Sequence, residues 1–297
     1  MVKKNNLTSR KSTSEKIVQS IVFVIMLLHC ALIIYVYAYG LNASLHVSHR
    51  HFNKHPNTIC FYNAITGAFT LPNFQNYVTA FNFLQDTNNF FFMLFNSVWY
   101  SLGGELFSLT IAACSTYVVA KYKNVFTKIV FNICIFVMIF PVVGSAPSLY
   151  KFYQTLGFDQ TPFILLSGLN NMCHLMIYAF FSAISWTYAE AAFIDGANDF
   201  EVFFKIMLPM ALPSISVIFV SGVIGRWNDY STPLLYLDKA FPTLASGLLT
   251  FERLLEYNSK TPAYFAGVIM AMIPPIVLFS IMQETIMSKV YFGGLKG

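Results

Sequence analysis

The chain has 297 residues, of which 56% are hydrophobic and only 10% carry charge, against roughly 25% charged residues in a soluble domain. That balance excludes a water-soluble globular domain and marks an integral membrane protein. The formal net charge of +5 sits largely in one basic head, so it reflects membrane topology and implies no nucleic-acid partner.

The head, residues 1–17, contains Lys3, Lys4, Arg10, Lys11 and Lys16. A hydrocarbon core of about 30 Å takes about twenty helical residues to cross. Apolar runs of that kind lie at 18–39, 91–120, 129–143, 163–184, 211–227 and 264–286, which predicts six transmembrane helices. The runs are too long and too evenly apolar for barrel strands, so the fold class is all-α. The third run is short and ends in "MIFPVVGSAP", where Pro141, Gly144 and Pro147 favour a kink or an early exit. The first run exceeds the 7–15 apolar residues of a signal peptide and precedes five more, so it reads as a retained helix. Lysines in the head and at Lys121, Lys123 and Lys128 place both segments in the cytoplasm, and an even number of spans puts the C-terminal tail, with Lys289 and Lys296, there too.

The predicted organisation is a basic head at 1–17, then the first helix with an extracytoplasmic lobe at 18–90. A membrane core follows at 91–290, with a short cytoplasmic helix at 186–197, and the tail is 291–297. Within the lobe, "HVSHRHFNKH" carries His46, His49, His51 and His55. With no nearby cysteine and no carboxylate before Asp86, it reads as a solvated or partner-facing loop rather than a metal site. Cys30, Cys114, Cys134 and Cys173 fall inside spans and Cys60 outside, so no intramolecular disulfide is expected.

Between the fourth and fifth runs the chain reads "EAAFIDGANDFEVFFKIMLP". Ala189, Ala191 and Ala192 favour a helix and Gly196 interrupts it. On that helix Glu190, Phe193 and Ala197 are expected to share a face, as are Ala192 and Asp195. Phe200, Phe203, Phe204 and Met207 then recur at helical spacing, fit either to lie on the bilayer surface or to pack beneath the bundle. Leu208-Pro209 is expected to close the element ahead of the fifth span.

Polar side chains inside the runs fall in stripes: Ser97, Ser101, Glu105, Ser108 and Ser115 in the second, and Ser167, Asn171, His174 and Tyr178 in the fourth. The fifth brings Ser221, Gly222, Gly225, Arg226 and Asp229 to one side, with Trp227, Asn228 and Tyr230 near its outer end. Such groups cost energy in lipid unless they face protein or water. The serines suit close helix packing, and Glu105 with Arg226 suits a salt bridge. His174 reads first as a satisfied buried histidine. The candidates for a hydrophilic translocation path are Glu105, Asn171, His174, Tyr178, Arg226, Trp227, Asn228 and Asp229.

No glycine-rich loop ends in Gly-Lys-Ser/Thr, so the chain has no motor of its own. There is also no nucleophile motif or metal-ligand pattern, and no enzyme is indicated. The spacing Glu190-Ala191-Ala192, three residues, Gly196, nine residues, Ile206-x-Leu208-Pro209 resembles the signature of inner-membrane permease subunits of ATP-binding-cassette importers. "TLPNFQNYVTAF", "NSVWYSLGGELFSL", "RWNDYSTPLLYL", "YFAGVIMAMIPPIVLF" and the terminal "GGLKG" look like the carbohydrate branch, similar to the six-span maltose-system permease. The likeness runs from Leu71 to Gly297.

The resemblance implies that 186–197 is a coupling helix seated in a groove of a separate ATPase. Glu190, Ala191, Ala192, Asp195, Gly196, Ile206, Leu208 and Pro209 would be its docking residues. It also implies a heterodimer with a second homologous permease, two ATPase subunits that bind ATP and magnesium, and an extracytoplasmic sugar-binding protein. No cofactor on this chain is implied. The family often has further acids just before its Glu-Ala-Ala, whereas "SWTYAEAA" has only Glu190. A permease for an amino acid, polyamine or phosphate, and an ATPase-independent transporter or intramembrane enzyme, stay open beside the sugar reading.

Overall fold

The computed structural model describes residues 13–47, 52–53, 56, 60, 62–63, 68–69, 71–139, 146–158, 163–165, 171–237, 241–258 and 260–290. Its elements are α1 (Thr13–Ser44), β1 (Tyr62–Asn63), β2 (Ala68–Phe69), α2 (Gln75–Asn88), α3 (Phe90–Lys121) and α4 (Val125–Ile139). There follow α5 (Ala146–Thr155), α6 (Asn171–Ala183), α7 (Thr187–Ile194), α8 (Asp199–Asn228), α9 (Ser231–Tyr236), α10 (Leu244–Asn258) and α11 (Thr261–Val290). The basic head and the tail lie outside the described residues, apart from the residues that open α1.

Four described helices are long and apolar enough to cross a bilayer: α1 from Ser14, α3, α8 and α11 as far as Ile281. A fifth crossing results if α6 and α7, bent by 66° where they meet, are one broken span. The apolar stretch of α4 is shorter, Val125–Val137. The fold is all-α as expected, and the only strand pairing among the described residues is a two-residue antiparallel ladder, Tyr62 with Phe69 and Asn63 with Ala68. Four described helices carry no sequence expectation: α2, α5, α9 and α10.

One correction concerns Leu208-Pro209, which does not close the element that begins at Glu190. A single helix runs from Asp199 to Asn228. Proline lacks an N–H, and its ring strikes the carbonyl four residues back. Phe203–Met207 form a wide π turn directly before Pro209, which opens the ladder where that collision would fall. A similar π turn at Trp99–Gly103 sits inside α3.

The chain folds as two compact units, Met1–Ala80 with Asn258–Ile269, and Phe81–Tyr257 with Met270–Gly297. In the first, α1 is exposed on every side from Ile17 to Tyr37, as suits a helix surrounded by lipid. Its end is tied down by Asn76 Nδ2, which donates to the carbonyls of Ser44 and His46 at 2.7 and 2.9 Å. His46 is fully buried, with Nδ1 2.9 Å from the Asn42 carbonyl and its ring edge-on to Phe52. His49, His51 and His55 lie outside the described residues, and no cluster of three metal-ligating side chains occurs among the described ones.

The second unit holds the main core. Leu109, Ala113 and Tyr117 of α3 pack with Ile177 and Phe181 of α6, with Ala189 and Ala192 of α7, and with Phe203, Met207 and Ala211 of α8. At the other end of α3, Ser97 Oγ accepts from the Leu244 amide at 2.8 Å and Asn96 donates to the Pro242 carbonyl at 2.9 Å. Phe83 stacks on Phe251 with ring centroids 4.1 Å apart. Those bonds and that stacking seat α10 against the start of α3. Asn89, at φ 60°, caps α3 by accepting from the Phe91 and Phe92 amides, a backbone region that asparagine tolerates better than most residues.

Candidate functional site

The element between the fourth and fifth runs is built from a helix stop followed at once by a helix start. At the end of α7 the Gly196 amide bonds to Phe193 and the Ala197 amide to Ala192, at 3.0 and 2.9 Å. This is the Schellman pattern, whose penultimate position requires a left-handed residue. Gly196 supplies it at φ 88°, with open space where a Cβ would stand, so the glycine is there for backbone conformation rather than for room. Two residues on, Asn198 Oδ1 accepts from the Glu201 amide at 3.0 Å while Glu201 Oε2 accepts from the Asn198 amide at 3.2 Å. This capping box restarts the chain as α8.

The stop and start divide α7 into two faces. Ala189 and Ala192 are buried in the core, and Glu190, Ala191, Ile194, Asp195 and Gly196 are exposed, Ile194 at 86%. Ala192 and Asp195 therefore do not share a face as expected, because Asp195 already stands in the cap. Phe193 turns partly inward, 6.1 Å from the Trp186 ring. Of the eight motif residues, Glu190, Ala191, Asp195 and Gly196 are exposed on and just after α7, Ala192, Ile206 and Leu208 face the core, and Pro209 is exposed on α8. Phe203 and Met207 are buried, while Phe200 and Phe204 remain exposed.

Two consecutive residues at the end of α3 hold this element from both sides. Lys121 Nζ donates to the Ile184 carbonyl, just before α7, and Tyr122 Oη donates to Asp199 Oδ1, just after it. Burial first, and then the bond to Asp199, raises the Tyr122 hydroxyl well above the usual phenol range, so it remains a donor.

Within the membrane segment, Arg226 Nε donates to Glu105 Oε2 at 3.0 Å, with 11% and 5% of the two side chains exposed. The expected ion pair between the second and fifth runs is present. Two glycines make room for it. A Cβ at Gly222 would overlap the Glu105 carboxylate, and one at Gly104 would stand 2.7 Å from Arg226 Nη1. The guanidinium lies 5.6 Å from the centre of the Tyr100 ring, within cation–π range. Tyr100 Oη in turn donates to Asp229 Oδ2 at 2.9 Å. Glu105 Oε1 is buried with no hydrogen-bond partner among the described residues.

Asp229 accepts from the Ser231 amide and hydroxyl and from the Thr232 amide, at 2.9 to 3.0 Å, and so caps α9. Burial alone would raise its carboxyl, but the donors from Thr232, Ser231 and Tyr100 outweigh it and hold the group below the usual range. Trp227 is buried, and its indole N–H donates to the Ala271 carbonyl at 3.1 Å. Asn228 is exposed and donates back to Ile224 at 2.9 Å.

The polar stripe of the fourth run does not join this group. His174 and Tyr178 line a separate small cavity of about 50 Å³ with Ser115, Phe131 and Cys134, and Tyr178 lies 4.3 Å from the Phe131 ring. Ser167 lies outside the described residues, as does the side chain of Asn171. The described polar residues of the three runs therefore do not line one continuous path within this chain. Ser97 and Ser101 are buried where the helices pack, Ser101 donating to the Ser97 carbonyl at 2.7 Å, whereas Ser115 is exposed. Tyr100, Lys121 and Tyr122 were not singled out for the site from the sequence. Tyr100 sits in the π turn, which shifts it off the simple helical stripe, and no periodicity forecasts bonds reaching across more than sixty residues.

A family model described as "Binding-protein-dependent transport system inner membrane component" matches residues 108–290. Among curated relatives, the diacetylchitobiose uptake system permease protein NgcG of Streptomyces coelicolor is 26% identical over 237 residues, covering 77% of each chain. The trehalose transport system permease protein SugB of Mycobacterium tuberculosis is 28% identical, covering 69% of this chain and 76% of its own. The melibiose/raffinose/stachyose import permease protein MelC of Bacillus subtilis is 28% identical, covering 65% and 71%. A crystallised chain of a bacterial ABC transporter involved in the import of the acidic polysaccharide alginate has the same fold. It superposes with a TM-score of 0.72 at 22% identity, covering 92% of this chain and 98% of that one.

Proposed function

Since the chain belongs to the family of binding-protein-dependent transport system inner membrane components, we propose that it is one permease half of an ABC importer for a sugar or oligosaccharide. Its membrane domain has six spans: α1, α3, α4, the run ending in α6, α8 and α11. Both termini lie in the cytoplasm. The other half of the pore is a second, homologous permease. Two ATPase subunits, which bind ATP with magnesium, dock from the cytoplasm, and an extracytoplasmic binding protein delivers the sugar. The sugar assignment is supported by the substrates that the curated relatives are named for.

The observation that carries the reading is the two-faced α7. Its outward surface, Glu190, Ala191, Ile194 and Asp195, is free for a partner, while Ala189 and Ala192 rest in the same core as α3, α6 and α8. ATP-driven closure of the ATPases presses on the outward face. Because the inward face is packed against that core, the displacement passes into the spans, tilts them, and switches the cavity between inward and outward access.

The test uses the full complex in membranes, with its binding protein presented with a panel of disaccharides and oligosaccharides. Gly196→Pro and Glu190→Lys are expected to leave the chain in the membrane and to abolish sugar-stimulated ATP hydrolysis. Normal stimulation in either well-expressed variant contradicts the reading.

A further inference from the structure

We propose that Lys121 and Tyr122 form a two-point clamp that makes the inner end of α3 move as one body with the coupling element. The proposal rests on the importer reading and adds positioning residues outside the recognised motif. The Lys121 ammonium bonds to the Ile184 carbonyl and the Tyr122 hydroxyl to Asp199, so the two partners bracket the whole of α7 and its turns.

Each bond meets a physical need of the segment it holds. The last carbonyls of α6 have no helical partner, and a cation at a helix C-terminus both satisfies one of them and complements the macrodipole. At the other flank Asp199 stands in the first turn of α8, where a carboxylate is favoured, and Tyr122 fixes its direction. Adjacent residues reach both sites because α3 ends between them. Lys121 is still helical, whereas Tyr122 is extended, at φ −96° and ψ 90°, so the two side chains diverge.

The turn that sets this divergence is itself held. Thr127 Oγ1 donates to the Tyr122 carbonyl at 2.6 Å, and Asn124 and Thr127 exchange two further bonds at 2.8 and 3.1 Å. The Tyr122 ring also lies against Trp186, with centroids 5.9 Å apart. The buried residues of α7 itself are the small Ala189 and Ala192, which pack against the core but have no polar group to fix direction. The grip comes from the flanks.

The clamp is tested in the complex with its ATPases, in a background with the five native cysteines replaced. Spin labels are placed at Ile194→Cys on α7 and Val118→Cys on the outer side of α3, and their separation is measured without nucleotide and after trapping with ATP and orthovanadate. The parent protein is expected to keep one narrow distance in both states. Lys121→Met/Tyr122→Phe is expected to match it without nucleotide and to shift and broaden on trapping, and Lys121→Arg to restore the narrow distance in a Tyr122 background. A double variant that tracks the parent in both states overturns the clamp alone. A chain with which no ATPase co-purifies overturns the importer reading and the clamp together.

Discussion

Neutralising one member of the Glu105–Arg226 pair is expected to cost far more than neutralising both. With only 5% and 11% of the side chains exposed, the pair is largely shielded from water, so Glu105→Gln strands the guanidinium and Arg226→Gln strands the carboxylate. Breaking a buried pair in this way costs about 3–5 kcal/mol, and a lone ion at membrane depth costs at least about 2.5 kcal/mol on the insertion scale. Gly104 and Gly222 press the helices together around the pair, which leaves little room for the stranded group to relax. The double Gln variant removes both charges while nearly keeping the volume, so the two defects should fail to add by about 3 kcal/mol, the upper end for interacting neighbours. The assay is a double-mutant cycle on the stability of the purified complex in detergent, read beside ATP-driven uptake. Additive losses, or mild single variants, would refute the linkage.

Three smaller effects follow from the same geometry. Gly196→Ala places a Cβ on a left-handed residue and should cost about 1 kcal/mol, seen as faster amide exchange across α7 with the rest of the chain unchanged. Asn198→Ala removes one half of the capping box and should cost about 1 kcal/mol at the start of α8, with Asn198→Asp largely retaining it. Because the Asp229 carboxyl is held below its usual range, its contribution is fully present above the ordinary carboxylate pKa and is lost as pH falls through the lowered value. Thermal unfolding of Asp229→Asn followed down to strongly acidic pH should therefore lose that part of the acid sensitivity, and an unchanged acid limb would count against it.

The long apolar helices and the short helix with its glycine stop were legible because their signals are local: extended apolar runs, a glycine after an alanine-rich helix, and a fixed motif spacing. The buried ion pair was legible as well, since two isolated charges in lipid have few other ways to be satisfied. Where the chain doubles back, local patterns gave less. Leu208-Pro209 reads as a stop, yet the π turn at Phe203–Met207 lets the helix continue. The fourth-run stripe of His174 and Tyr178 reads as part of a common path, but those side chains pack toward α3 and α4. Nor does any spacing reveal that Lys121, which reads as a topology signal, ends on a carbonyl at the far side of α6.

The most direct measurement is site-specific crosslinking from α7 to the ATPase in intact membranes. Cysteines at Glu190 and Ile194, both outward, should each capture the ATPase subunit, and one at the buried Ala189 should not. Capture that is equal at all three positions, or absent from all three while the purified chain still moves sugar uphill alone, would contradict a docking role for α7.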